Sequence, residues 1–113
     1  MNDTISWTDF EKLDLRVGTI LDVQDFPKAK KPAYQLKLDF GSEIGILQSS
    51  AQITVHYSKE ELIGKQVVAV VNFPKKQIAN FFSECLVTGF ADANGDIILT
   101  SVDRKLPNGS KLS

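Results

Sequence analysis

Residues 73–90 read FPKKQIANFFSECLVTGF and set cations beside large apolar groups within a few positions. Lys75, Lys76, Ile78, Asn80, Phe81, Phe82 and Ser83 all fall in this stretch. A second stretch, FPKAKKPAY, contributes Phe26, Lys28, Lys30 and Lys31 between and around two prolines. Connections between strands normally run over the surface and carry polar residues. Aromatic rings among lysines therefore mean a segment folded back onto a core or a segment made to touch a ligand. Two ligand classes fit. Single-stranded nucleic acid stacks its bases on aromatic rings and lays its phosphates beside lysines. An extended apolar peptide uses the same rings as anchors, with the cations as a rim. The plainer alternative is that Ile78 and one phenylalanine plug the end of a barrel. Alternation along the chain should send one of Phe81 and Phe82 inward and the other outward.

Bond-making chemistry finds less support. Cys85, the single cysteine, sits in the apolar run ECLVTGF and reads as a small buried hydrophobe. A nucleophilic thiol would want an adjacent base, and none is indicated. The single histidine, His56, is a surface or packing residue on this reading, because without a cysteine or a second histidine it makes a poor zinc site. Asp14, Asp22, Asp25 and Asp39 are scattered and do not form an evident acid–base pair. No glycine-rich phosphate loop is present. The sequence thus predicts no enzyme, no catalytic residue, no metal site and no cofactor.

The chain has 113 residues, 42% of them hydrophobic, enough for one domain with one modest core. Its formal net charge of −1 excludes a generally basic nucleic-acid binder and leaves anion recognition to the local lysine clusters. One cysteine allows no intrachain disulfide. The opening MNDTISWTDFEK is polar and acidic where a signal peptide would be basic and then apolar. No apolar run approaches the roughly 18 residues of a membrane span. These features predict a cytoplasmic location without membrane insertion.

The elements that must position the basic stretches follow from period and punctuation. Ser6 with Asp9 three residues later caps a short helix that carries Trp7, Phe10 and Leu13 on one side. From Leu15 the period becomes two, with Leu15, Val17, Thr19, Leu21 and Val23 on one face and Arg16, Gly18, Ile20, Asp22 and Gln24 on the other. Gly18 suggests a bulge or bend there. Tyr34, Leu36, Leu38 and Phe40 alternate as a half-buried strand; Gly41-Ser42 reads as a tight turn, and EIGILQS pairs back. Ser58 with Glu61 marks a second capping box, and Gly64 stops that helical turn. QVVAVVNF suits a central strand, Asn94-Gly95 turns a last hairpin, and DRKLPNGSKLS closes as a polar tail.

Five main strands with a helical insert between the third and fourth describe an all-β, five-stranded OB-fold, a partly open Greek-key barrel. The expected division of the single domain, residues 1–113, is an N-terminal dimerisation helix at 1–13, the barrel at 14–102 and a C-terminal strand or tail at 103–113. In that fold the loop between strands one and two and the loop between strands four and five flank the binding face. This brings the two basic stretches together. The short first helix and the edge of the last hairpin both need covering. A homodimer through Trp7, Phe10, Ile97, Ile98, Leu99, Leu106 and Pro107 is expected.

Four motifs in order, DLRVGTI, QSSAQIT, KEELIGKQVVAVVNF and KKQIANFFSECLVTGF, resemble the tRNA-binding domain family over nearly the whole chain. The resemblance implies an OB-fold homodimer. The start SWTDFEKLDLRVGTI and the end LPNGSKL are similar to the short free-standing members that serve as export-related chaperones in bacteria. That branch implies binding of unfolded or presecretory polypeptide, with a link to the Sec export components. Tyical tRNA-binding members carry a motif like S-x-G-M before the last long strand; here Ser83 matches, Cys85 and Leu86 stand for the glycine and methionine, and Glu84 adds a negative charge. With the acidic overall balance, this favours polypeptide over the alternative ligand, tRNA or another structured RNA.

Overall fold

The computed structural model describes residues 2–113. Both capping boxes form. Ser6 Oγ accepts the Asp9 N–H and the Asp9 carboxylate accepts the Ser6 N–H, opening α1 (Trp7–Glu11). Ser58 and Glu61 repeat the exchange at α3 (Lys59–Leu62). Leu62 is fully buried, so this single turn is anchored by tertiary packing rather than by helix propensity.

The barrel is built on one antiparallel sheet in the order β3 (Ile46–Ala51), β2 (Tyr34–Asp39), β1 (Leu15–Asp25), β4 (Gln66–Val70) and β7 (Leu86–Val87). Three strands form a meander, and β4 returns to the far side of β1, which gives the Greek-key order of the OB-fold. The open edges of β3 and β7 approach each other through the segment before β7: Glu84 N–H donates to Gln48 O at 2.8 Å, and Gln48 N–H donates to Glu84 Oε1 at 3.0 Å. The core is the inner face of this nearly closed sheet, with Ile20, Leu36, Leu38, Phe40, Leu62, Val67 and Ala69 all at 0% exposure. Two small hairpins complete the chain, β5 (Lys76–Ile78) with β6 (Phe81–Ser83) and β8 (Gly89–Ala91) with β9 (Ile97–Leu99).

Strand β2 alternates as its sequence predicts, but β1 does not keep one face. Ile20 pairs with Leu38 while Asp22 pairs with Lys37, so Leu21 is an extra residue in a bulge. The bulge switches the faces. Gly18, Ile20 and Val23 are buried, whereas Leu21 is exposed, so the expected row of Leu15, Val17, Thr19, Leu21 and Val23 is broken. Gly18 is not itself the bulge. A Cβ there would lie 2.6 Å from Phe40 Cε1, so its glycine makes room for a fully buried ring.

One connection differs from expectation. Gly41-Ser42 is not a two-residue turn: Gly45 N–H donates to Gly41 O and Gly41 N–H to Asp39 Oδ1, which closes a helical turn, α2 (Gly41–Ile44), before β3 begins. The C-terminal segment, expected as a strand or tail, lies against the barrel. Val17 N–H donates to Ser110 O, Gly109 N–H to Val17 O and Leu112 N–H to Leu15 O, so residues 109–112 run antiparallel beside the first half of β1. Arg16 fixes the segment by bonding both Asp14 and Gly109 O, and Thr19 Oγ1 bonds Asn108 Oδ1 at 2.6 Å.

Candidate ligand-binding groove

The β5–β6 hairpin is the element the sequence did not announce. Its pairs are Lys76 with Ser83, Gln77 with Phe82 and Ile78 with Phe81, leaving Ala79-Asn80 as a two-residue turn. Ala79 takes φ 54°, a left-handed conformation that costs a non-glycine residue about 1–2 kcal/mol. The hairpin is held down by β3. Ser50 N–H donates to Ser83 Oγ at 3.1 Å, Ser83 Oγ donates to Cys85 O at 3.3 Å, and Gln48 Nε2 donates to Phe82 O at 2.9 Å. Ser83 is buried, locks the hairpin through these bonds and lines the cleft described next.

Two adjoining clefts lie along β5. One, of about 780 Å³, is lined by Phe73, Pro74, Lys75, Cys85 and Leu86; the other, of about 600 Å³, by Lys28, Ala29, Lys30, Lys31 and Ala33. Both share Ser50, Gln52, Lys76, Gln77 and Ile78, so they form one groove with β5 along it and the end of β3 beneath. A third cleft, of about 780 Å³, lies between the C-terminal segment and the start of β4, away from both basic stretches.

The two basic stretches do converge, as the fold requires. Lys28, Lys30, Lys31 and Lys76 have no carboxylate within 4.0 Å among the described residues, so their charges face the groove uncompensated. Lys75 differs, because its Nζ sits 3.5 Å from Glu84 Oε2. The aromatic residues divide. Phe81 turns inward against Phe26, ring centroids 5.4 Å apart, and Phe82 points outward at 49% exposure. Phe26 is 4% exposed and lines neither cleft; it supports Phe81 from below rather than meeting a ligand. Phe81 and Phe82 also line neither cleft, and Asn80 occupies the exposed turn. The apolar surface of the groove comes instead from Ile78, Phe73, Pro74, Leu86 and the alanines. Phe73 and Leu86, at 48% and 50% exposure, went unread in the sequence because each falls in what reads as a strand end.

Cys85 lines the groove at 6% exposure. Burial, and then the neighbouring Glu84 charge, push its thiol up to about 12, so it stays protonated at neutral pH and is no nucleophile. His56 is not isolated. Its Nε2 lies 2.6 Å from Asp92 Oδ2, while Asp92 Oδ1 accepts the N–H groups of Asn94 and Asp96. The His56 bond, with these two backbone bonds, holds the Asp92 carboxyl below the usual carboxylate range. His56, Asp92 and Asp96 bring three ligand atoms within 4.8 Å of one another, a convergence that 36 residues of separation hid from the sequence reading.

Of the residues expected at a dimer interface, Trp7 is 66% exposed and packs on Phe10 at 5.1 Å. Ile98 faces outward opposite Phe90, its cross-strand partner, which is 73% exposed and was not anticipated. Leu106 and Pro107 lie exposed on the C-terminal segment, where Gln66 bonds both the N–H and the carbonyl of Leu106. Leu99 is a correction. Strand alternation turns it into the core at 7% exposure, and Ile97 packs against the same core, so neither presents the surface that Ile98 does.

Comparison with known proteins matches this architecture. The family model described as "Putative tRNA binding domain" matches residues 15–111. Chaperone CsaA of Bacillus anthracis str. Ames is 50% identical, with 98% of this chain and 100% of that chain covered and a TM-score of 0.92. The CsaA chaperone protein of Picrophilus torridus is 53% identical over 97% of this chain and 100% of that one, with a TM-score of 0.90. The methionine–tRNA ligase of Nanoarchaeum equitans (strain Kin4-M) is 40% identical over 96% of this chain, which spans only 13% of that enzyme's length. By its matched residues and its barrel, the chain belongs to the tRNA-binding domain family.

Proposed function

We propose that this protein is a non-catalytic chaperone that holds unfolded or presecretory polypeptide in the groove along β5 and so assists protein export. The observation that carries the reading is the groove's composition: an apolar lining of Phe73, Pro74, Ile78 and Leu86 within a rim of lysines, four of them unpaired. Apolar side chains of an unfolded client gain by leaving water there. The lysines speed encounter and favour clients with acidic residues. Likeness over nearly the full chain to two chaperones at 50% and 53% identity supports the same reading. The Sec export components are the partners this role implies. The cytoplasm is the location this role implies. No helix among the described residues is long and apolar enough to cross a membrane.

We infer a homodimer through α1, the outer face of the β8–β9 hairpin and the C-terminal segment, where Trp7, Phe90, Ile98 and Leu106 expose apolar surface. Two grooves on one client would then act through effective concentration rather than single-site affinity. Sedimentation at micromolar concentration should give a dimer.

A second reading, tRNA or structured-RNA binding on the same face, is favoured by the family match and by the unpaired lysines. Titrating the full chain in parallel with tRNA and with a reduced, unfolded apolar polypeptide, each at low and at physiological salt, separates the two. The proposal expects polypeptide binding that survives physiological salt. Binding of tRNA alone would overturn it.

A further inference from the structure

Strand β5 is paired on one side only. Its hairpin closes through a two-residue turn, so the Ile78–Phe81 pair exchanges hydrogen bonds, and so does Lys76–Ser83 two residues on. The intervening pair, Gln77 with Phe82, is the wide one, whose N–H and C=O groups point away from each other's strand. Phe82 confirms the phase, because its carbonyl turns outward to accept Gln48 Nε2 at 2.9 Å. By the same geometry the Gln77 N–H and C=O point from the opposite edge. No other group among the described residues bonds to them, and Gln77 lines both halves of the groove.

A free strand edge is a template for another strand. Added strands lie about 4.8 Å from their partner, a spacing that sets one within a groove of this size. Resting on the polypeptide reading above, we propose that an extended client segment pairs with the free edge of β5 at Gln77 as an added strand. Main-chain pairing reads no sequence. It accounts for how a shallow groove takes many clients, with Phe73, Ile78 and Leu86 receiving alternate side chains and the lysines selecting acidic neighbours.

Gln77→Pro tests the edge directly. The substitution removes an N–H that the β5–β6 ladder does not use, and proline is tolerated on such an edge. Gln77→Ala serves as control for the side chain, whose Nε2 bonds Ala79 O at 3.2 Å. The probe is a short apolar peptide with acidic residues, used as made and with its central amides N-methylated, measured by fluorescence anisotropy on the full chain. Gln77→Ala measures what the side chain contributes, and Gln77→Pro should bind about tenfold more weakly than Gln77→Ala, the loss expected for one main-chain bond. N-methylation removes the peptide N–H that would donate to the Gln77 carbonyl, the other bond of the same pair, and should weaken binding to the parent by a similar factor. The N-methylated peptide leaves the protein untouched, so this arm stands even if the proline variant disturbs the hairpin. Full-strength binding of the N-methylated peptide to the parent would overturn strand pairing while leaving the chaperone reading intact. Failure of the parent to bind any peptide would overturn both.

Discussion

Replacing Lys28, Lys30, Lys31, Lys75 and Lys76 together with serine distinguishes a polyanion site from a peptide groove with a basic rim. All five side chains are exposed, so the change should leave the barrel intact. Four of the lysines are unpaired and the fifth sits 3.5 Å from Glu84, so four free charges is the working count. A nucleic acid contacting all four would show a log–log salt slope of about −0.7 to −0.9 per phosphate contact. Raising salt from about 50 to 200 mM would then cost on the order of a hundredfold in affinity, and the quintuple variant would lose most of that slope. An unfolded polypeptide meets the same lysines only at the rim. Its affinity should fall about three- to tenfold in the variant, mainly in the on-rate, with a shallow salt slope before and after. Anisotropy titrations of parent and variant at four salt concentrations measure both. If the polypeptide slope were as steep as that of tRNA and collapsed in the variant, the client would be recognised as a polyanion, and the apolar-groove argument would fail.

Other outcomes follow from the packing. Gly18→Ala should destabilise the barrel by about 1–2 kcal/mol in urea titrations, because overpacking against Phe40 outweighs the gain of about 0.5–1 kcal/mol from removing a strand glycine; a variant as stable as the parent would refute the close approach. Phe81→Ala should cost about 1–3 kcal/mol by stripping the ring from Phe26, whereas Phe82→Ser should stay within about 0.5 kcal/mol, so equal losses in thermal melts would contradict the assigned orientations. The folded-state carboxyl of Asp92 is depressed, so its contribution to stability is present above the unfolded carboxylate pKa of about 3.9 and is lost as pH falls through the lower folded value. Asp92→Asn should therefore be less stable than the parent at pH 7, with the gap narrowing below about pH 4; a gap independent of pH would remove His56 and the backbone N–H groups as its cause.

The sequence by itself determined what local chemistry controls. The two helical starts rest on Ser6 with Asp9 and Ser58 with Glu61, pairs three residues apart that bond one another whatever surrounds them. The burial of Tyr34, Leu36 and Leu38 rests on period two alone, and the last hairpin on the readiness of Gly95 for positive φ. From these the order of strands, and with it the OB-fold, could be read, along with the meeting of the two lysine stretches. Tertiary structure decided the rest, because each remaining feature depends on partners distant in sequence. The bulge at Leu21 appears only when β1 must serve β4 with one half and β2 with the other. Gly18 is explained by Phe40, and the C-terminal segment by the open side of β1 beyond the end of β2. Phe81 faces inward because the buried Phe26 lies opposite it, not because of anything in the pair FF. The groove is walled by Phe73 and Leu86 and floored by Ser50 and Gln52, residues whose own neighbourhoods in the chain give no hint of a common cleft. Period and propensity act over a few residues, whereas a binding surface is made where strands far apart in the chain are brought side by side.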